Sequence, residues 1–151
     1  MYIPYVDNCL DMTAASADGT VRERRVAIAR EGSDPATWAG VAKVNVSTGE
    51  IRYIHRQHAP GNGAVLATAG DLVFRGDLDH GFRAFDAASG KVLWETKLNG
   101  PIQNSTITYA VNGKQYVAVL TGVGAVTGSL IQQAGLKTNR TYNSLSVFAL
   151  P

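Results

Sequence analysis

The sequence is short of most features that would assign a chemistry at sight. A single cysteine, Cys9, excludes an internal disulfide and reads as a buried, inert thiol. Charged residues make up only 17% of the 151, with a net charge of +2, so electrostatics gives no case for a nucleic-acid partner. No acidic residue follows Glu95, whereas Lys97, Lys114, Lys137 and Arg140 do; cations so scattered read as a solvated face. No apolar run is long enough for a membrane span. The opening MYIPYVDNCLDM lacks the basic start, apolar core and small-residue cleavage site of a signal peptide, and reads as a strand and loop.

Metal and nucleotide signatures are missing too. His55 and His58 are three apart, beside Arg52 and Arg56, and His80 is remote, so no third ligand or partner acid is evident. The segment DLDHG (77–81) lacks the acidic twelfth position of a calcium loop and reads as a β-turn ending on Gly81. LTGVGAVTG, with Gly122, Gly124 and Gly128, follows a strand but lacks the G-x-G-x-x-G spacing. It also lacks an acidic residue about 20 positions on to hold a ribose.

What is present is a repeat. GVAKVNVSTGEIRYI from Gly40 aligns with GFRAFDAASGKVLWE from Gly81, an offset of 41 residues. Each copy has a strand, a turn closing on Thr48-Gly49 or Ser89-Gly90, a second strand and an aromatic at one place, Tyr53 or Trp94. Short strands repeating every 40–45 residues or so belong to β-propeller blades. Strands at 64–68, 71–76, 82–86 and 91–95 make one four-stranded blade. Beyond it, STITYAV and QYVAVLTG flank Asn112-Gly113, a hairpin-turn pair that tolerates φ > 0, and SLSVFAL closes the series. The expected fold is all-β, a propeller fragment of a little over two antiparallel blades. Trp94 reads either as a staple onto the next blade or as a core aromatic of its own. Residues 13–39 form a long excursion in which VRERRVAIAR is one strand or a short helix. Residues 122–143 form a second excursion, with a helical turn in GSLIQQAGLK.

AFDAASGKVLW resembles the tryptophan-docking repeat of the dehydrogenases that use pyrroloquinoline quinone (PQQ). NGAVLATAGDLVFRGDLDHGFRAFD (62–86) is similar to the family's segment leading into its last full blade, and NGKQYVAVLTGVG (112–124) to the strand and loop that follow. YIPYVDNCLD resembles an earlier strand and loop that approach the quinone. The methanol and ethanol types form eight-bladed propellers with PQQ and a calcium or lanthanide ion over the central axis. The resemblance therefore implies that residues 1–151 are C-terminal blades of an incomplete domain. The catalytic carboxylate, the metal ligands and an adjacent cysteine pair would then lie upstream, so no catalytic or metal residue is assigned here.

The implied chemistry is oxidation of a primary alcohol by hydride transfer to PQQ. Electrons would pass to a cytochrome c-type acceptor in the periplasm, and the remaining blades of the longer chain would complete the ring. The candidate quinone contacts are Asn62 and Gly63, where Ala64 departs from the family's second glycine, and Asp7 and Asn8. Asn62 also fits a plain turn role, and Asp7 and Asn8 also fit loop or capping roles. The fragment alone is expected to be inactive. A non-enzymatic propeller scaffold for protein assembly, built from similar repeats, is the other reading.

Overall fold

The computed structural model describes residues 1–17, 20–124, 127–138 and 143–149. Twelve strands and one helix are described: β1 (Tyr2–Val6), β2 (Asn8–Ala17), β3 (Thr20–Ala29), β4 (Ala39–Val44), β5 (Ile51–Gln57), β6 (Leu66–Ala67), β7 (Leu72–Gly76), β8 (Gly81–Asp86), β9 (Val92–Lys97), β10 (Thr106–Val111), β11 (Lys114–Thr121), α1 (Gly128–Gln133) and β12 (Ser144–Ala149). Three sheets form the body, in the orders β1-β4-β5, β6-β7-β8-β9 and β10-β11-β12. A separate ribbon pairs β2 with β3. Every described ladder is antiparallel. The expected four-stranded blade is the middle sheet. It is flanked by a three-stranded sheet on each side, so the chain carries one full blade and two three-stranded ones.

The repeat reappears as one turn built twice. In the first, Asn45 Oδ1 accepts the backbone N–H groups of Ser47 and Thr48. In the second, Asp86 Oδ1 accepts those of Ala88 and Ser89. Each turn closes on a left-handed glycine, Gly49 at φ 76° and Gly90 at φ 75°, a conformation that costs glycine nothing and other residues about 1 kcal/mol or more. Asn112 and Gly113, at φ 51° and 77°, make the hairpin turn between β10 and β11 that their sequence dictates.

Between the sheets lie two apolar seams. Val73, Phe85 and Ala87 of the middle blade pack with Tyr2 of the first, whose Oη donates to the Ala87 carbonyl at 2.7 Å. On the opposite face, Phe74, Phe82 and Ala84 pack with Ile102, Val117 and Val119, and with Phe148 on the third blade. Because both faces of the middle blade are covered, apolar side chains point to both sides of β7 and β8. Each fully buried Phe or Val there contributes about 1.5–3 kcal/mol.

Trp94 does reach the third blade, and it also packs edge-on to Phe82 of its own. Tyr53, its counterpart in the repeat, does not. A bulge falls between Ala84 and Phe85 in one hairpin but between Val41 and Ala42 in the other. A one-residue displacement turns a side chain to the opposite face of a sheet. Tyr53 consequently faces away from the middle blade. It packs edge-on against Tyr5 with centroids 5.0 Å apart, under the Arg56 guanidinium 4.2 Å from its ring. His55 takes the inward place and stacks on Phe85 at 4.7 Å.

The segment VRERRVAIAR is strand up to Ala29, within β3 and paired with β2. This ribbon corrects the reading of Cys9 as buried: the thiol is exposed. The cause is local, because β2 leaves the blade after Asp7 and pairs only with β3, so no second sheet covers its face. The helical turn expected in 128–137 is α1.

A candidate quinone-facing loop cluster

Antiparallel pairing places the ends of β1, β5, β7, β9 and β11 and the starts of β4, β6, β8, β10 and β12 at one end of the three sheets. Backbone bonds knit the loops there together. Asp7 N–H donates to Trp38 O at 2.7 Å, Leu78 N–H to Pro60 O at 2.8 Å, Ile102 N–H to Asp77 O at 2.9 Å and Gly122 N–H to Pro101 O at 2.8 Å. Trp38, 4% exposed, donates its indole N–H to His58 O at 2.6 Å. The His58 ring lies between two carbonyl oxygens, Pro35 O at 2.6 Å from Nδ1 and Ala134 O at 2.8 Å from Nε2. His55 and His58 therefore serve separate contacts and do not converge on a metal.

The turn at Gly61–Gly63 is shaped by close approach. A Cβ on Gly63 would lie 2.4 Å from Asn104 O, and one on Gly61 would lie 2.6 Å from Gly76 O and 2.7 Å from Arg75 Nη2. Both glycines are buried and Asn62 between them is exposed, so the turn presents its amide outward. Gln103 lies beside Gly124, its Nε2 3.0 Å from where a Cβ would stand. Asn62–Gly63, Gln103–Asn104 and Gly122–Gly124 thus share one rim. Gln103 and Asn104 carry no sequence signal beyond their polarity.

The other two candidates are placed differently. Asp7 is clamped by Arg30, whose Nε and Nη2 donate to its two carboxylate oxygens at 2.5 and 2.7 Å. These bonds hold the carboxyl below its ordinary range. Asp7 lines an open cavity of about 460 Å³ on the outer face of the first blade, together with Tyr53, Arg56 and Ile3. Asn8 begins β2, opposite Ala29. No described contact joins either residue to Asn62 or Gly63. This cavity therefore lies on a sheet face and not among the rim loops.

Behind the rim is a polar network that no sequence motif announces. Asp77, 1% exposed, accepts from Asp79 N–H and Gly81 N–H at 2.9 Å each, and from Arg83 and Gln57. This confirms DLDHG as a turn, with His80 rather than Gly81 taking the left-handed position at φ 70°. Gln57 Oε1 also meets His55 Nε2 at 3.0 Å. Burial lowers the His55 pKa, against the pull of the Gln57 bond. Arg75, 2% exposed, is pushed down to about 10 by burial, with Asp77 opposing. One signal of it was legible: an arginine inside the otherwise apolar strand LVFRG.

Comparison with known proteins places this geometry. The family profile described as glucose/ethanol/alcohol dehydrogenase, beta-propeller domain, with PQQ, matches residues 35–117. The chain belongs to the PQQ-dependent alcohol dehydrogenase family. It is 39% identical over 92 residues to the 1-butanol dehydrogenase (cytochrome c) of Thauera butanivorans, covering 61% of this chain and 13% of that protein. It is 44% identical over 77 residues to the quinoprotein ethanol dehydrogenase of Pseudomonas aeruginosa, covering 51% and 12%. The lanthanide-dependent methanol dehydrogenase of Methylorubrum extorquens is 41% identical over 80 residues, covering 53% and 13%. Superposed on a europium-containing methanol dehydrogenase, the fold gives a TM-score of 0.79 at 27% identity, over 99% of this chain and 30% of that one. The chain thus spans a minor part of the length of its quinoprotein relatives.

The family uses PQQ with calcium or a lanthanide, and the loop rim fits one side of a planar, carboxylate-bearing ring. Glycine backbone is packed to contact at 61 and 63, and an amide is turned outward at 62. Metal ligation is another matter. Among the described residues no group of three or more His, Cys, Asp or Glu gathers.

Proposed function

We propose that residues 1–151 are the C-terminal blades of a longer quinoprotein and form one wall of its active-site pocket, in a protein that oxidises primary alcohols. The observation that carries this reading is the family match over 35–117, which includes the rim holding Asn62 and Gly63. PQQ held against this rim would supply a hydride acceptor for the alcohol, and a calcium or lanthanide ion a Lewis acid. In this chain, Asn62 offers an amide donor and acceptor to the edge of the ring. Gly63, seated on Asn104, fixes where that amide stands. Asp7 orients the departing β2–β3 ribbon through Arg30, and Asn8 starts it; neither is given a contact with the ring.

The catalytic carboxylate and the metal ligands belong, in this reading, to the other blades. A cytochrome c-type electron acceptor and a periplasmic location complete it, the former supported by the name of the butanol-oxidising relative. No helix among the described residues is long and apolar enough to cross a membrane. The dehydrogenase names of the relatives favour this reading over a non-enzymatic scaffold.

The test is an absorbance titration of PQQ, with calcium or a lanthanide present, onto a chain extended upstream through the preceding blades. Saturable binding, weakened about tenfold by Asn62→Ala as for one lost hydrogen bond to a charged or polar ring, is expected. An extended chain that does not bind PQQ overturns the reading; unchanged binding by Asn62→Ala removes Asn62 from it.

A further inference from the structure

A guanidinium offers five N–H bonds, and Arg75 has found one acceptor for them, the Gly61 carbonyl, 3.4 Å from Nη2. Its Nε and Nη1 are sealed from solvent with no partner among the described residues. Asp77 is near enough to act on Arg75 electrostatically, but its oxygens are committed. Oδ1 takes two backbone N–H groups, and Oδ2 takes Arg83 and Gln57. Arg83 stands directly opposite Arg75 in the β7–β8 ladder and adds like charge. From the first blade, His55 faces the same cluster with its charged form disfavoured by burial.

Tyr5 is the second orphan. Its Oη is buried without a partner among the described residues, on the face that carries Tyr53. A buried charge whose donors are unmatched costs free energy that the fold does not otherwise recover. Such groups mark sites completed by an ion, a water or a ligand.

We propose that Arg75 is a carboxylate-binding site of this chain, closed in the unliganded state by the Gly61–Asn62–Gly63 turn. The cover beside the guanidinium is bare backbone: a Cβ on Gly61 would already be 2.7 Å from Nη2. A carboxylate reaches the N–H donors by displacing this turn and supplies the acceptors that Asp77 cannot. Carboxylate suits the planar guanidinium, and charge-assisted bonds of this kind are the stronger class. The inference does not depend on the quinone reading, since its probes are simple anions.

The experiment follows the Arg75 Nε–H resonance of the ¹⁵N-labelled chain, and the melting temperature, during titration with sodium acetate, phosphate or chloride at fixed ionic strength. Acetate is expected to shift the resonance saturably and raise Tm, with phosphate and chloride weaker. Arg75→Met should abolish the Tm response and, having removed an unpaired buried charge, should melt in chloride no lower than the parent. An Arg75 resonance that acetate leaves in place overturns the proposal, even if Arg75→Met fails to fold. So does an Arg75→Met chain that keeps the acetate response, or a parent that answers phosphate and acetate equally.

Discussion

Trp94 on β9 and Phe148 on β12 meet edge to face across two blades, with ring centroids 5.1 Å apart and planes at 73°. The contact closes one wall of a groove lined by Leu72, Phe74 and Val117, and edge-to-face pairs add about 0.5–1.5 kcal/mol beyond the area they bury. Yet Trp94 remains 40% exposed. Trp94→Ala should therefore cost about 2 kcal/mol, less than the roughly 3–5 of a tryptophan removed from a sealed core. Tyr53→Ala, on the face turned away from the neighbouring blade, should cost less again. Urea denaturation of the two variants checks the order; a larger loss at Tyr53 would contradict the placement of the two bulges.

The twin turns give a sharper comparison. A Cβ on Gly90 would lie 1.9 Å from the Ile54 carbonyl of the first blade, whereas one on Gly49 meets nothing within 4 Å. Gly49→Ala should cost about 1 kcal/mol from backbone strain alone. Gly90→Ala should exceed it by about 2 kcal/mol or more, since the clash is with backbone. Equal losses would mean that the first two blades do not pack in solution as described.

Acid should weaken the fold through His55. Burial sets its folded pKa below the ordinary value, so the folded state holds fewer protons than the unfolded chain near pH 6. Stability is then fully present above the unfolded pKa of about 6.5 and falls as the pH drops toward the folded value. Thermal melts between about pH 7.5 and 5 should show this slope, and His55→Phe should flatten it. An unchanged slope in that variant assigns the effect elsewhere.

Much of this arrangement was legible in the sequence, because it rests on local rules. The 41-residue offset, the Ser/Thr-Gly closures and Asn112-Gly113 each dictate a turn, and the turns fix the strands of the middle blade to within two residues. Tyr53 shows where such reading stops. Alignment pairs it with Trp94, but the bulge falls just after Tyr53 and just before Trp94 and so decides the face, and a bulge is set by packing that spacing alone does not record. Cys9 looked like a core thiol because strand-like sequence does not say whether a second sheet covers it. Asn62 and Gly63 were legible as a turn at the rim, whereas Arg75 and Tyr5 gain their character from burial between chain-distant elements.

The outer sheet faces should make the isolated chain self-associate. Ile51 and Tyr53 are 56% and 52% exposed on the first blade, and Ile107 and Leu145 are 57% and 65% exposed on the third. Apolar faces of that kind, with strand edges beside them, are association surfaces. Sedimentation velocity should show concentration-dependent oligomers, reduced by Leu145→Lys with Tyr53→Glu. A monodisperse monomer at high concentration would count against this.

The central claim, that this chain supplies one wall of a quinoprotein pocket and not the whole of it, meets its most direct test in dye-linked oxidation of a primary alcohol. Catalysis requires the reacting groups to be held to within about 0.5 Å, and in the proposed reading the base and the metal ligands stand on the other blades. The purified 151-residue chain, supplied with PQQ and calcium or a lanthanide, should show no turnover, and a chain extended upstream through the preceding blades should turn over under the same conditions. Turnover by the short chain alone, or none by the extended one, would contradict the account.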